Sequence, residues 1–154
     1  MDTTRRWILD TALWVIGVLA SMVLIAHEAM AGGKLATPPN ERWKAECGSC
    51  HIAYPPQLLP GEAWHQIMSQ LDKHFGTDAS LDPAAAAEIG AYLERYSGSS
   101  RRAQPAPGSP RITETAWFIH EHDDVPMKSA ANCAACHTAA EQGDFRERNI
   151  RIPR

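Results

Sequence analysis

Two copies of Cys-x-x-Cys-His constrain this 154-residue chain more than anything else in it. They are Cys47-Gly48-Ser49-Cys50-His51 and Cys133-Ala134-Ala135-Cys136-His137, and together they use all four cysteines. The pentapeptide is the attachment signal for c-type haem. Each thiol adds to a vinyl group as a thioether, and the adjacent imidazole takes the proximal position on the iron. Residues three apart on a helix share a face, which brings both thiols to one porphyrin edge. Two copies predict two covalent haems (haem c, iron) in a small chain that must fold around them.

Other uses of the cysteines fit less well. Two Cys-x-x-Cys pairs can build a four-thiolate zinc site. Here about eighty residues separate the pairs, far beyond zinc-ribbon spacing, and zinc leaves the histidine after each pair unexplained. A thioredoxin-like motif needs a βαβ context that the sequence lacks. A disulfide framework gains little from pairs only three residues apart, because such links close almost no loop.

The N-terminus points to export. Arg5 and Arg6 precede an apolar run from Thr11 to Ala26, and Ala29-Met30-Ala31 has the small-x-small form of a cleavage site. Residues 1–31 therefore read as a secretory signal peptide, which places the product in the periplasm, where bacterial haem attachment takes place. The Arg-Arg pair is a loose match to a twin-arginine signal. The alternative is a retained anchor, because residues 7–26 are long enough to span a bilayer and the two arginines would hold the N-terminus inside. Cleavage after Ala31 leaves thirteen basic and fifteen acidic residues, a formal net charge of −2 against −3 for the whole chain. That balance excludes a nucleic-acid partner, which demands a basic excess.

The segment 97–110, SGSSRRAQPAPGSP, is dense in Ser, Gly and Pro and reads as a linker. It divides a first haem lobe, residues 32–96, from a shorter second lobe, residues 111–154. The second lobe is too short to fold alone. Helix and loop account for the rest, and no strand alternation is visible, so the fold class is all-α: two cytochrome c-like lobes behind an apolar N-terminal helix. Asn40 caps a helix carrying Glu41 to His51. The prolines at 55, 56 and 60 make a loop. A helix is expected from Glu62 to His74, another from Pro83 to about Tyr96 with Asp82 as its cap, and two more near Glu114–Glu121 and Ser129–His137.

Function turns on the ligand opposite each proximal histidine, His51 and His137. A second histidine gives a closed, low-potential carrier; methionine raises the potential; an open site admits substrates. For the first haem, His74 continues the stripe Trp64, Ile67, Leu71, while His65 shares a polar face with Ser69 and Asp72. Met68 lies beside the stripe and remains an alternative ligand, although core filling is the commoner use of methionine. For the second haem, residues 138–154 contain neither histidine nor methionine, so the ligand comes from upstream. His122 follows Phe118 and Ile119, the apolar face of its helix; His120 follows Trp117 and stays an alternative. Asp123 and Asp124 are placed to hydrogen-bond an imidazole. A crossed arrangement, with His74 serving the second haem and His122 the first, is compatible with the spacing. Arg101, Arg102 and Arg111 near the lobe junction are candidates to neutralise haem propionates, and the arginine-rich tail 145–154 is a candidate docking patch.

With these residues in place, the chain resembles the small dihaem cytochromes c of proteobacteria, the group that includes the electron donor to sphaeroides haem protein. The resemblance rests on ECGSCHIAYPPQLLP at Glu46–Pro60, Trp64, HFGTDASL at His74–Leu81, and RITETAWF at Arg111–Phe118. His122-Asp123, the second haem motif and Ile150-Arg151-Ile152-Pro153 complete it. It implies bis-histidine ligation, His51 with His74 and His137 with His122. It also implies a periplasmic carrier passing electrons between a membrane b-type cytochrome and a soluble haem protein. His120 is a departure from the family pattern. The competing functions are a dihaem peroxidase-like enzyme, which needs one accessible iron and acid–base residues beside it, a gas sensor, and a haem subunit of a membrane oxidoreductase complex.

Overall fold

The computed structural model describes residues 33–99 and 103–153. The signal peptide or anchor expected over residues 1–31, and the arginines at 101 and 102, lie outside the described residues. Four short helices and a set of 3-10 turns make up the rest: α1, Glu41–Cys47; α2, Gly61–Met68; α3, Pro83–Arg95; and α4, Ala116–His122. Among the described residues β-structure is limited to isolated bridges, and no helix is long and apolar enough to cross a membrane.

Three of the four helices start where a side chain satisfies their first amides, whereas α2 starts after Pro60 without a side-chain cap. Asn40 Oδ1 accepts from Trp43 N at 2.7 Å. Asp82 accepts from the amides of Ala84 and Ala85, with Pro83 supplying a pre-set φ at the first position. Thr115 Oγ1 accepts from Phe118 N at 3.1 Å.

Three expected helices are shorter than their sequence patterns suggest. α1 ends at Cys47 and does not reach His51. Gly48 propagates a helix poorly, and Ser49 Oγ donates to the carbonyl of Glu46 at 3.1 Å, a local bond that competes with helix extension. The first haem motif therefore crosses from helix into a bend, and the assumption of a helical face for its cysteines is corrected. α2 stops at Met68; the chain then makes a 3-10 turn over Leu71–Lys73. The stripe ending at His74 is thus not one continuous helical face. The predicted helix over residues 129–137 is reduced to a 3-10 turn at Cys133–Ala135. So short a segment, without an apolar face to pack, cannot offset helix nucleation.

The core lies in the first lobe. α2 and α3 pack around Leu59, Ala63, Trp64, Ile89, Tyr92 and Leu93, with Trp43, Cys47, Tyr54 and Met68 against its edge. Each large apolar side chain buried here is worth roughly 1.5–3 kcal/mol. Trp64 Nε1 donates to the carbonyl of Pro56 at 2.7 Å, so the indole is buried without an orphaned donor. The second lobe buries much less: Thr115, Phe118, Ala140 and Asp144.

A strap joins the lobes. Leu35 N donates to Gly143 O at 2.7 Å, and Lys34 bridges Asp144. A few residues on, Thr37 Oγ1 accepts from Tyr92 Oη at 2.8 Å. Residues 34–37 thus touch both halves. Gly143 has φ 66°, and a Cβ there would sit 2.6 Å from Leu35 O, so the strap needs glycine at this position. The described parts of the segment 97–110, residues 97–99 and 103–110, are tied to the first lobe. Gly98 N donates to Leu59 O at 2.8 Å, and Ala103 is buried.

Candidate haem sites

His51 follows α1 through the bend of the first motif. Its Nδ1 lies 2.7 Å from the carbonyl oxygen of Ile52. A carbonyl only accepts, so Nδ1 carries the proton and Nε2 is left with a lone pair, the tautomer a metal takes. The ring is stacked on Tyr54, with centroids 4.5 Å apart and planes 19° from parallel.

His74 caps the turn that follows α2 and comes back across His51, with ring centroids 6.3 Å apart. The turn that delivers it is unusual. Phe75 has φ 49°, a left-handed conformation uncommon for an aromatic residue, and Gly76 follows at φ 98°. Thr77 N then donates to His74 O at 3.0 Å, closing the reversal. Arg111 covers the Phe75 ring at 4.0 Å, which binds the turn to the start of the second lobe. Burial lowers the His74 pKa, with His51 and Arg111 adding to the effect, and that favours the neutral imidazole.

The second site has the same plan on different supports. His122 ends α4, and its Nδ1 lies 2.8 Å from Phe118 O, one turn earlier. Its ring centroid is 6.1 Å from that of His137. His137 is held by backbone pairing with the C-terminal tail: Thr138 N donates to Asn149 O at 2.9 Å, and Arg151 N to Cys136 O at 2.8 Å. Phe145 meets the His137 ring edge-on at 5.3 Å. Burial lowers the His137 pKa, and His122 adds to the shift. His137 Nδ1 is buried without a protein hydrogen-bond partner.

These distances test whether a metal fits between the rings. An imidazole nitrogen sits about 2 Å from a first-row metal, and the ring centre lies about 1.1 Å behind it. Two imidazoles on opposite sides of one iron would therefore have centroids about 6.2 Å apart. Both pairs meet that requirement. Rotation about the metal–nitrogen axis is free, so the interplanar angles of 31° and 65° are both compatible with it.

None of the four motif cysteines is paired in a disulfide. Burial, with Glu46 adding, pushes Cys47 up to about 11, and burial also raises Cys133. Among the described residues no group of three or more His, Cys, Asp or Glu side chains gathers to hold a metal, so the two cysteine pairs do not converge on one zinc site.

The remaining candidates fall elsewhere. Met68 packs against the apolar core. His65 and His120 are exposed. Three aromatic contacts restrain these rings: Tyr54 against His51, Phe118 against His122, and Phe145 against His137. The first two were accessible in principle from the sequence, because Tyr54 lies three residues after His51 and Phe118 one helical turn before His122. The third depends on the tail folding back, which no local pattern announces.

Two covalent attachment motifs, each with a second imidazole facing its histidine, on a helical frame with little other core, define a two-haem c-type cytochrome. The family model for dihaem cytochrome c matches residues 43–145, and the chain belongs to that family. The fold is similar to the dihaem cytochrome c of Rhodobacter sphaeroides, at 39% identity over 71% of this chain and 100% of that one, with a TM-score of 0.63. It is also similar to the dihaem c-type cytochrome of Shewanella baltica, at 40% identity over 76% of this chain and 95% of that one, with a TM-score of 0.66. No curated protein sequence matches the chain. The family carries two c-type haems and makes this a haem electron-transfer protein.

Proposed function

We propose that this cytochrome is an exported two-haem relay with bis-histidine ligation at both irons. It takes electrons from a membrane b-type cytochrome and passes them to a soluble haem protein. Cys47 and Cys50 hold the first haem and His51 and His74 its iron; Cys133 and Cys136 hold the second haem and His137 and His122 its iron. The observation that carries this reading is the pair of facing imidazoles, 6.3 Å and 6.1 Å between centroids.

Haem iron supplies a reversible one-electron change between ferric and ferrous states. The chain supplies what makes that change useful for transfer. Two imidazoles per iron leave no position for substrate, oxygen or peroxide. Main-chain carbonyls of Ile52 and Phe118 fix the rings of His51 and His122 and raise their basicity as ligands. Imidazole on both sides supports a lower potential than a histidine–methionine pair. The tail that pairs with the second motif carries Arg148 and Arg151 on its exposed side, which suits docking of an acidic partner beside the second haem and rates that fall with salt.

Absorption and EPR spectra of the purified holoprotein test the ligation. Both irons are expected to be low-spin in both oxidation states, and the ferrous protein is not expected to bind carbon monoxide. A five-coordinate, high-spin signal at either haem in the native protein would overturn the closed-site reading. Intact mass tests export: the expected product starts at Gly32 and carries two haems, whereas a retained Met1 would indicate the anchored form.

A further inference from the structure

Tyr54 lies between the two haem sites and touches both. Its ring is stacked on His51. Its hydroxyl donates to the carbonyl of Ala131 at 2.6 Å, across 77 residues of sequence and two residues before Cys133. The Ala131 segment has no α-helix and little buried surface of its own. One phenol therefore ties the proximal ligand of the first haem to the attachment loop of the second. Tyr54 lies in a stiff setting, immediately before Pro55 and Pro56, both buried, and its ring packs against the first-lobe core.

We propose that Tyr54 is the positioning residue for electron exchange between the haems: it sets the distance and orientation of the second attachment loop relative to the His51 imidazole. With haem held at Cys47, Cys50 and His51 and at Cys133, Cys136 and His137, the exchange would be a one-electron change between the two groups, with no proton moved and no bond made or broken. The phenol acts as a fixed spacer and not as a redox station. Burial pushes its pKa up to about 12, so it keeps its proton at physiological pH. This inference rests on the two-haem relay reading and adds the residue that couples the halves.

The test uses the holoprotein with Tyr54→Phe, which keeps the stack and removes only the hydrogen bond, and Tyr54→Leu, which removes both. The readouts are the Soret circular dichroism couplet, which reports the mutual orientation of the haems, and the interhaem rate after photoreduction of one haem. Tyr54→Phe is expected to retain two low-spin haems, to reduce the couplet, and to slow exchange several-fold. Tyr54→Leu is expected to slow it further. An unchanged couplet and rate in Tyr54→Phe would overturn the positioning role. A high-spin wild-type spectrum would instead overturn the relay reading, so the two failures are separable. If Tyr54→Leu fails to hold haem, Tyr54→Phe alone still decides the matter, because its packing is conserved.

Discussion

His122 lies flat on Phe118, one turn earlier in α4, with ring centroids 4.1 Å apart and planes 15° from parallel. The same turn supplies the carbonyl that engages His122 Nδ1. Phe118 thus restrains the imidazole by contact and by its backbone, and it is itself buried. Phe118→Leu keeps the helix and an apolar side chain but loses the flat surface. The expected outcome is a partly high-spin second haem with an unchanged first haem, read by EPR of the ferric protein. Two unaltered low-spin signals would show that the carbonyl alone holds the ring.

His74 is delivered by a left-handed turn and not by a helix, so its side chain can be changed without breaking a helical stripe. His74→Met is expected to raise the midpoint potential of one haem only. The shift should be on the order of 100 mV, a modest part of the ~0.8 V range that axial ligands span. Spectropotentiometric titration checks it. A shift of both haems by similar amounts would mean that His74 does not serve a single iron.

Asp144 gives the second lobe a contribution to stability that depends on pH. Its hydrogen bonds and ion pair with Arg146 hold the carboxyl well below its ordinary value of 3.8. A carboxyl with a depressed folded pKa adds stability that is present above the unfolded pKa and lost as pH falls through the folded one. Asp144→Asn is therefore expected to be less stable than the parent at pH 7. The gap should shrink as the pH falls below about 4. Denaturant melts at both pH values measure it, and a gap that persisted in acid would assign the effect to packing instead.

Leu93 is 1% exposed on the inner face of α3, against Trp64 and Ile89. Leu93→Ala is expected to cost about 2–5 kcal/mol, the usual range for a buried leucine in a close-packed core. Thermal or denaturant unfolding of the holoprotein reads the loss. A cost near zero would mean that the haems, and not this core, hold the first lobe together.

The sequence was most legible where chemistry and local rules coincide. The haem motifs, the caps at Asn40 and Asp82, and the long helix from Pro83 are all short-range signals. The rings of His74 and His122 lie 6.3 and 6.1 Å from those of His51 and His137, and only His122 is carried at the end of a helix. The helical stripe that would carry His74 breaks at Gln70, where φ is −134°. The residue reaches its place through the reversal at Phe75 and Gly76, which periodicity cannot encode. The strap from Lys34 to Thr37 and the tail pairing at His137 were invisible for a different reason. Both are backbone contacts between distant segments, and hydrogen bonds of that kind leave little trace in residue type.

The first lobe has a packed interior of its own, and the second is mostly turns folded against a strap and a tail. The two attachments are therefore unequal as steps of assembly. A chain loaded only at Cys47 and Cys50 already has a folding nucleus, and its α2–α3 region is expected to resist protease. A chain loaded only at Cys133 and Cys136 lacks that support, and its second lobe is expected to be digested. Mass mapping of half-loaded Cys→Ala variants distinguishes the two. Biogenesis thus has a preferred direction, running the same way as synthesis of the chain, so the half that emerges last is completed on a half that already stands.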